Sequence, residues 1–457
     1  MPLPRPKPFS VSPADGAWLR MEEPDNPMTI TGVIAFGSRM THEDAKALLM
    51  ERFVPFNRFR MRIENPDSAR AKWVPDDTFD LDDHLVPIEL PAPGGHRGLE
   101  ALVSDLMSQP LSFERSPWTF HLVQDVDDEI ASAFVIRLHH VIGDGLGLMP
   151  VLLSMCDERF DPAKIPGTAL APAKPPRKPL AKRVTRTARG AVEETVDLLT
   201  KPAHLWRRLK TVGGGVGSLG HLLTMPKDSE TVFKGEASPR KRAAWTRAIP
   251  LPTIKAIGAA TGSKVNDVLM ATATGALRRY LIARGDSVRG VEIRVAVPFN
   301  VRPADRPYDM GNAFSLVFVT LPVGTIDPLE RLRLLKERMN ALKDSQQPAV
   351  VYGILQSIGK APGWGHQFVV DMFASKASAV VTNVPGPTEE MHMLGAPVRE
   401  LMFWVPQAGD IGLGLSILSY DDNVRVGVAV DEAYASDPHP LVDAFEMEFA
   451  ELAAQYA

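Results

Sequence analysis

Hydrophobic and polar positions change period repeatedly along the chain, and each change marks an expected element. Met28–Phe36 and Trp118–Val123 are rich in the β-branched and aromatic types that favour strands. Arg58–Ile63 alternates basic and apolar residues, the pattern of a half-exposed strand. Thr41–Met50 has a Thr N-cap and an acidic first turn before a helical spacing of apolar residues, and Leu99–Ser108 also reads as a helix. Phe134–His140 is an apolar strand that ends in a turn forced by Gly143, Gly145 and Gly147. A helix follows that turn, and Pro150 requires it either to start near Leu148 or to kink. Residues 1–165 thus read as one mixed α/β segment.

Residues 236–457 read as a second one. Lys264–Arg284 is a long helix, with Asn266 as the candidate N-cap and Asp267 in a first turn that suits the helix dipole. Strands are expected at Glu292–Val297, Asn312–Leu321, Ala379–Thr382, Ile411–Ser419 and Val424–Val430, and amphipathic helices at Asp327–Asp344 and Leu441–Ala454.

Residues 166–235 between them form a crossover linker. Pro166, Pro172, Pro175, Pro176 and Pro179 extend it. Lys174, Arg177, Lys178, Lys182, Arg183, Arg186 and Arg189 make it basic, with no acid before Glu193. A helical pattern then runs over Val184–Val212, broken at Pro202, with Leu198, Leu199, Leu205, Trp206 and Leu209 as its apolar members. Two readings stay open: a solvated connection, or a basic amphipathic element that docks on anionic lipid. Gly215–Gly220 satisfies Gly-x-Gly-x-x-Gly, but it follows Trp206–Lys210 and no buried strand, so it reads as a hinge and not as a dinucleotide site.

Composition narrows the class. The 457 residues are 45% hydrophobic and 23% charged, as soluble globular proteins are. A net charge of -4 gives no general affinity for nucleic acid. The single cysteine, Cys156, lies in the apolar run Val151–Cys156, which suits a packed hydrophobe in a reducing compartment. Met1–Pro8 is proline-rich and lacks the apolar core of a secretory signal. No apolar run reaches the roughly 18 residues of a membrane span. A cytoplasmic protein is expected, with contact at the inner membrane or lipid inclusions left open.

The candidate chemistry sits at the end of the Phe134–His140 strand. Side chains alternate faces there, so His140 goes with Phe134, Ile136 and Leu138, and His139 with Val135 and Arg137. An imidazole held neutral near apolar walls is a good general base. The competing structural reading is a buried strand histidine beside an aspartate, Asp144, that caps the next helix. Opposite faces argue against one metal ion shared by His139 and His140, and His84 and His121 read as packed or capping groups. No Gly-x-Ser-x-Gly elbow or Walker pattern is present, which weakens serine-hydrolase and nucleotide-hydrolase readings.

His139-His140-x-x-x-Asp144-Gly145 resembles the active-site signature of the CoA-dependent acyltransferase superfamily. Ser12–Leu19, Asn26–Met28, Pro55–Arg60, Phe79–His84, Val297–Arg302, Met310–Asn312 and Thr382–Pro387 resemble, in order, blocks of its wax ester synthase/diacylglycerol acyltransferase family. Asn266-Asp267-Val268 resembles a further signature, although Leu269 stands where that family has a small residue. Ser116-Pro117-Trp118 stands where the family has Pro-Leu-Trp. The resemblance implies two chloramphenicol-acetyltransferase-like α/β lobes with a tunnel between them. It implies His140 as general base, His139 in support, and Asp144 as a structural partner of an arginine, with Arg294 and Arg302 as candidates. Asn266 and Asp267 become site candidates beside their capping roles. Asn383 either lines the tunnel or caps a turn, and Pro117 and Trp118 either contact substrate or pack the core. The implied activity is transfer of a long acyl chain from acyl-CoA, as substrate, to a fatty alcohol or diacylglycerol, without cofactor or metal. Rival readings are a condensation-type enzyme using carrier-bound substrates and a non-catalytic lipid-binding protein.

Overall fold

The computed structural model describes residues 3–158, 225–302, 309–343, 347–348, 351–353 and 363–456. The basic and proline-rich part of the linker, with its helical pattern and its glycine run, lies outside the described residues. Two mixed sheets dominate. The first has the strand order His392–Met393, Ala396–Trp404, Thr29–Phe36, Ser132–His139, Trp118–Gln124, Leu85–Ile88. The second runs Phe314–Leu321, Ile293–Asn300, Ala379–Pro385, Leu413–Tyr420, Asn423–Asp431, Lys241–Trp245, with Ile249–Pro250 also on the Asn423–Asp431 strand. Parallel pairs sit among antiparallel ones, as at Ile293–Asn300 against Ala379–Pro385. Two strands of the first sheet therefore come from late in the chain. Ala396–Trp404 pairs antiparallel with Thr29–Phe36, tying the two ends of the sequence into one sheet.

The first lobe packs its sheet between two cores. Phe134 and Leu138 face one that also holds Phe53, Phe59, Trp118 and Phe120. Ala133 and Val135 face the other, closed by helix Gly95–Met107 through Leu99, Leu102 and Val103. In the second lobe, helix Val265–Ala283 is buried over most of its length beneath helices Pro328–Lys343 and His439–Ala454. Phe233, just upstream, is fully buried in that same core.

Some local expectations need correction. Arg58–Ile63 is not one strand: residues Asn57–Arg60 form a 3-10 turn and Met61–Glu64 the strand. The cause is Arg58, whose guanidinium turns inward to buried acceptors instead of lying on an exposed face. Asn266 is not the N-cap of the long helix. Lys264 holds that position, and the Asp267 carboxylate accepts its backbone N–H at 2.9 Å. The helix after the glycine turn starts at Gly145, ahead of Leu148, because Asp144 caps it; Pro150 lies inside.

Candidate active site

The strand Ser132–His139 delivers two imidazoles to different surroundings. His139 is fully buried against Phe113 and Glu22. Its Nδ1 accepts the Val141 N–H at 3.0 Å, so Nε2 carries the proton and faces the Glu22 carboxylate at 3.3 Å. His140 begins the turn. Its ring stacks on Trp18 with centroids 3.8 Å apart, and Phe314 lies 5.9 Å away. The contact sets are disjoint, but His140 lies past the strand end, so the turn and not strand alternation sets its direction: its ring meets Trp18 and Phe314.

His140 Nδ1 is buried without a hydrogen-bond partner. Burial pushes its pKa down to about 4, and the charge of Asp144 only partly opposes this. The ring is therefore neutral at ordinary pH and able to accept a proton.

Its backbone is held on both sides. The His140 N–H donates to the Met28 carbonyl at 2.8 Å, and its carbonyl accepts from the Asn312 side-chain amide at 2.8 Å. Asn312 in turn is fixed by Asp15, a buried residue of helix Pro13–Met21. The other Asp15 oxygen pairs with Arg58 at 3.1 Å, and Arg58 donates to the Val141 and Ile142 carbonyls just past His140. Asp15, Arg58 and Asn312 thus clamp the turn. The sequence reading assigns none of them a role in the site, although each stands in a quoted block.

Asp144 faces three ways. One carboxylate oxygen accepts the Gly147 N–H at 2.9 Å and pairs with Arg302 Nη2 at 2.8 Å; the other accepts the Ala313 N–H at 2.9 Å. Arg294 is not the partner: its Nη1 donates to the carbonyls of Pro226 and Lys376. Gly147 is required here, since a Cβ would lie 2.9 Å from Arg302 Nη2 and 3.0 Å from the Gly311 carbonyl oxygen.

His140 opens on a cavity of about 370 Å³ between the lobes. Helix Pro13–Met21 contributes Ala14, Ala17, Trp18 and Met21, and Asp144 and Gly145 border it beside His140. The second sheet contributes alternate residues of neighbouring strands: Ala296, Pro298 and Asn300, then Phe314, Leu316 and Phe318. The register pairs Asn300 with Phe314 near His140 and Ala296 with Phe318 four residue pairs further along. At that far level Phe318 stacks on Phe373, with Ala374 alongside. The cavity is polar at Asn300, Arg302, Asp144 and His140, carries Thr382 and Asn383 on its wall, and is otherwise mostly apolar.

The remaining candidates separate. Asn383 borders the cavity and its side-chain amide donates to Asn266 at 3.0 Å, so these two are brought together. Asp267 is buried in its capping role. Pro117 and Trp118 do not border the cavity. The Pro117 carbonyl accepts the His139 N–H, and Trp118 is core, its indole N–H on the Phe59 carbonyl and its face against His84. His84 and His121 are buried with Nδ1 facing the Trp118 and Val135 carbonyls. Burial raises the Cys156 thiol to about 12, so it is no nucleophile. Among the described residues no cluster of three or more His, Cys, Asp or Glu could hold a metal ion, and no helix is long and apolar enough to cross a membrane.

The wax ester synthase/diacylglycerol acyltransferase catalytic domain matches residues 11–269, and the C-terminal domain of that family matches residues 310–453. A Mycobacterium tuberculosis H37Rv protein named as a probable diacylglycerol O-acyltransferase is 26% identical over 450 residues, 96% of this chain and 95% of its own. A Mycobacterium bovis relative shows the same figures. Among solved structures, the wax ester synthase/diacylglycerol acyltransferase of Marinobacter aquaeolei VT8 superposes with a TM-score of 0.68 at 20% identity, covering 98% of this chain and 99% of that one. The first condensation domain of the CDA synthetase gives 0.60 at 13% identity, covering 99% and 98%. The matched catalytic domain includes both histidines, Asp144 and the clamp residues Asp15 and Arg58, and the chain belongs to the wax ester synthase/diacylglycerol acyltransferase family.

Proposed function

We propose that His140 is the general base of an acyl transfer from a long-chain acyl-CoA to an apolar alcohol. The observation that carries this is a neutral, buried imidazole at the polar end of a mostly apolar cavity. The alcohol O–H gives its proton to His140 as its oxygen bonds to the thioester carbonyl carbon. The tetrahedral intermediate then collapses, the C–S bond breaks, and the leaving thiolate takes the proton back from the imidazolium. Ester and free CoA are the products, and no acyl-enzyme is needed. Asp144 and Arg302 hold the turn and helix that follow His140, acting as positioning residues. His139, with its proton on Nε2, supports the strand end. Asn266 orients Asn383 at the cavity wall. The apolar walls suit an acyl chain and a fatty alcohol or a diacylglycerol acceptor.

Insoluble acceptors and products favour work at an anionic membrane or lipid-droplet surface, and the basic residues between Lys174 and Arg189 supply the attraction. The test of the function is product analysis with purified protein, palmitoyl-CoA, and hexadecanol and diacylglycerol in competition. Wax ester, triacylglycerol or both supports the reading. Neither ester, from folded protein, sinks it.

A further inference from the structure

Trp18 stacks face to face on His140 with ring centroids 3.8 Å apart. The planes are 11° from parallel, and Phe314 lies 5.7 Å from the indole and 5.9 Å from the imidazole. Trp18 is only partly buried and borders the cavity. Its helix is anchored across the lobes by the two hydrogen bonds from Asn312 to Asp15, so the placement of the indole is imposed from both lobes.

The charged groups around His140 are already engaged. On its own turn, Asp144 is paired with Arg302. On helix Pro13–Met21, Asp15 is shared by Arg58 and Asn312, and at that helix's C-terminal end Glu22 faces His139. What remains in face contact with the imidazole is an indole. An indole face is electron-rich and attracts a cation more than a neutral ring. Such attraction grows as the imidazole gains a proton, so it is stronger in the transition state than in the ground state and acts on rate before binding.

We propose that Trp18 is a positioning residue whose ring face stabilises His140 as it becomes an imidazolium during the transfer. The inference rests on His140 being the base.

The test compares Trp18→Tyr, Trp18→Phe and Trp18→Leu for kcat, KM for palmitoyl-CoA and the acid limb of the pH–rate profile. The expected order of kcat is Trp, Tyr, Phe, Leu, the leucine variant falling by roughly tenfold. Loss of the face disfavours the protonated ring, so the acid limb should move to lower pH along the same order. Equal kcat in the three variants, with an unmoved limb, would reduce the stack to packing and overturn the proposal. Should the leucine variant not fold by circular dichroism, tyrosine and phenylalanine decide alone: a limb at the native position in both overturns it. His140→Ala is run alongside. Full activity in that variant removes the base itself, whereas a flat Trp18 series with inactive His140→Ala removes only the stack.

Discussion

Asn312 gives both its backbone N–H and its side-chain amide to one oxygen of Asp15, at 2.8 Å each. A residue near the start of the chain thereby fixes one beyond its middle, and Asn312 passes the constraint to the His140 carbonyl. The same carboxylate, itself buried, answers the partly buried Arg58 guanidinium, which in turn holds the two carbonyls after His140.

Asp15→Asn should therefore destabilise the protein and slow it together. It leaves the partly buried Arg58 without its counter-charge but with the Val141 and Ile142 carbonyls still in place, so the loss should be smaller than the roughly 3–5 kcal/mol of a fully buried unpaired charge. Thermal melting monitored by circular dichroism checks the first effect, and CoA release the second. A variant with native melting and native rate would show that the clamp does not matter.

Asp144→Asn should lower stability and soluble yield along with activity, because it uncouples Arg302 while keeping a helix cap. A double-mutant cycle with Arg302→Gln should give a coupling of at least about 1 kcal/mol. Native melting combined with a lost limb of the pH profile would make Asp144 a direct participant in proton transfer instead.

The histidine shifts set a pH signature. His140 is neutral until pH falls to about 4, so its activity limb should lie well below the ordinary histidine value of 6.5. Stability moves differently. The unfolded chain takes up protons on histidine near 6.5, while native His140 and His121, both depressed to about 4 by burial, do not. Their contribution to stability is present above 6.5 and is lost as pH falls from there toward 4. Rates measured where circular dichroism still reports a folded protein separate the two. An activity limb at 6.5 under those conditions would mean that the base is not a buried imidazole.

The basic stretch is testable without its structure. The protein should float with anionic vesicles, less so in high salt, and Lys182→Glu with Arg183→Glu and Arg186→Glu should weaken it, each basic residue contributing roughly 1 kcal/mol near the surface. Equal flotation on neutral and anionic vesicles, unchanged by the substitutions, would rule out an electrostatic anchor and leave the chemistry untouched.

The strand carrying the histidines, the turn after it and the mixed α/β character were legible because period and turn residues are local signals. The pairing of Ala396–Trp404 with Thr29–Phe36 was not, since nothing within either segment names its partner. Arg58 shows the same limit. Its alternation with apolar neighbours reads as a half-exposed strand, yet its guanidinium is drawn inward by Asp15, which lies 43 residues away in sequence. Asn266 looked like an N-cap by type, but the helix begins at Val265 with Lys264 at the cap, which puts Asn266 inside the first turn, where its side chain meets Asn383. The choice between Arg294 and Arg302 likewise turned on which loop reaches Asp144, a tertiary fact.

The most direct test is the rate of ester formation by His140→Ala at saturating palmitoyl-CoA and hexadecanol. Loss of a general base should lower it by about 10²–10⁴ while the protein stays folded by circular dichroism, and His139→Ala should lose less. A folded His140→Ala protein that esterifies at the native rate would contradict the account at its centre.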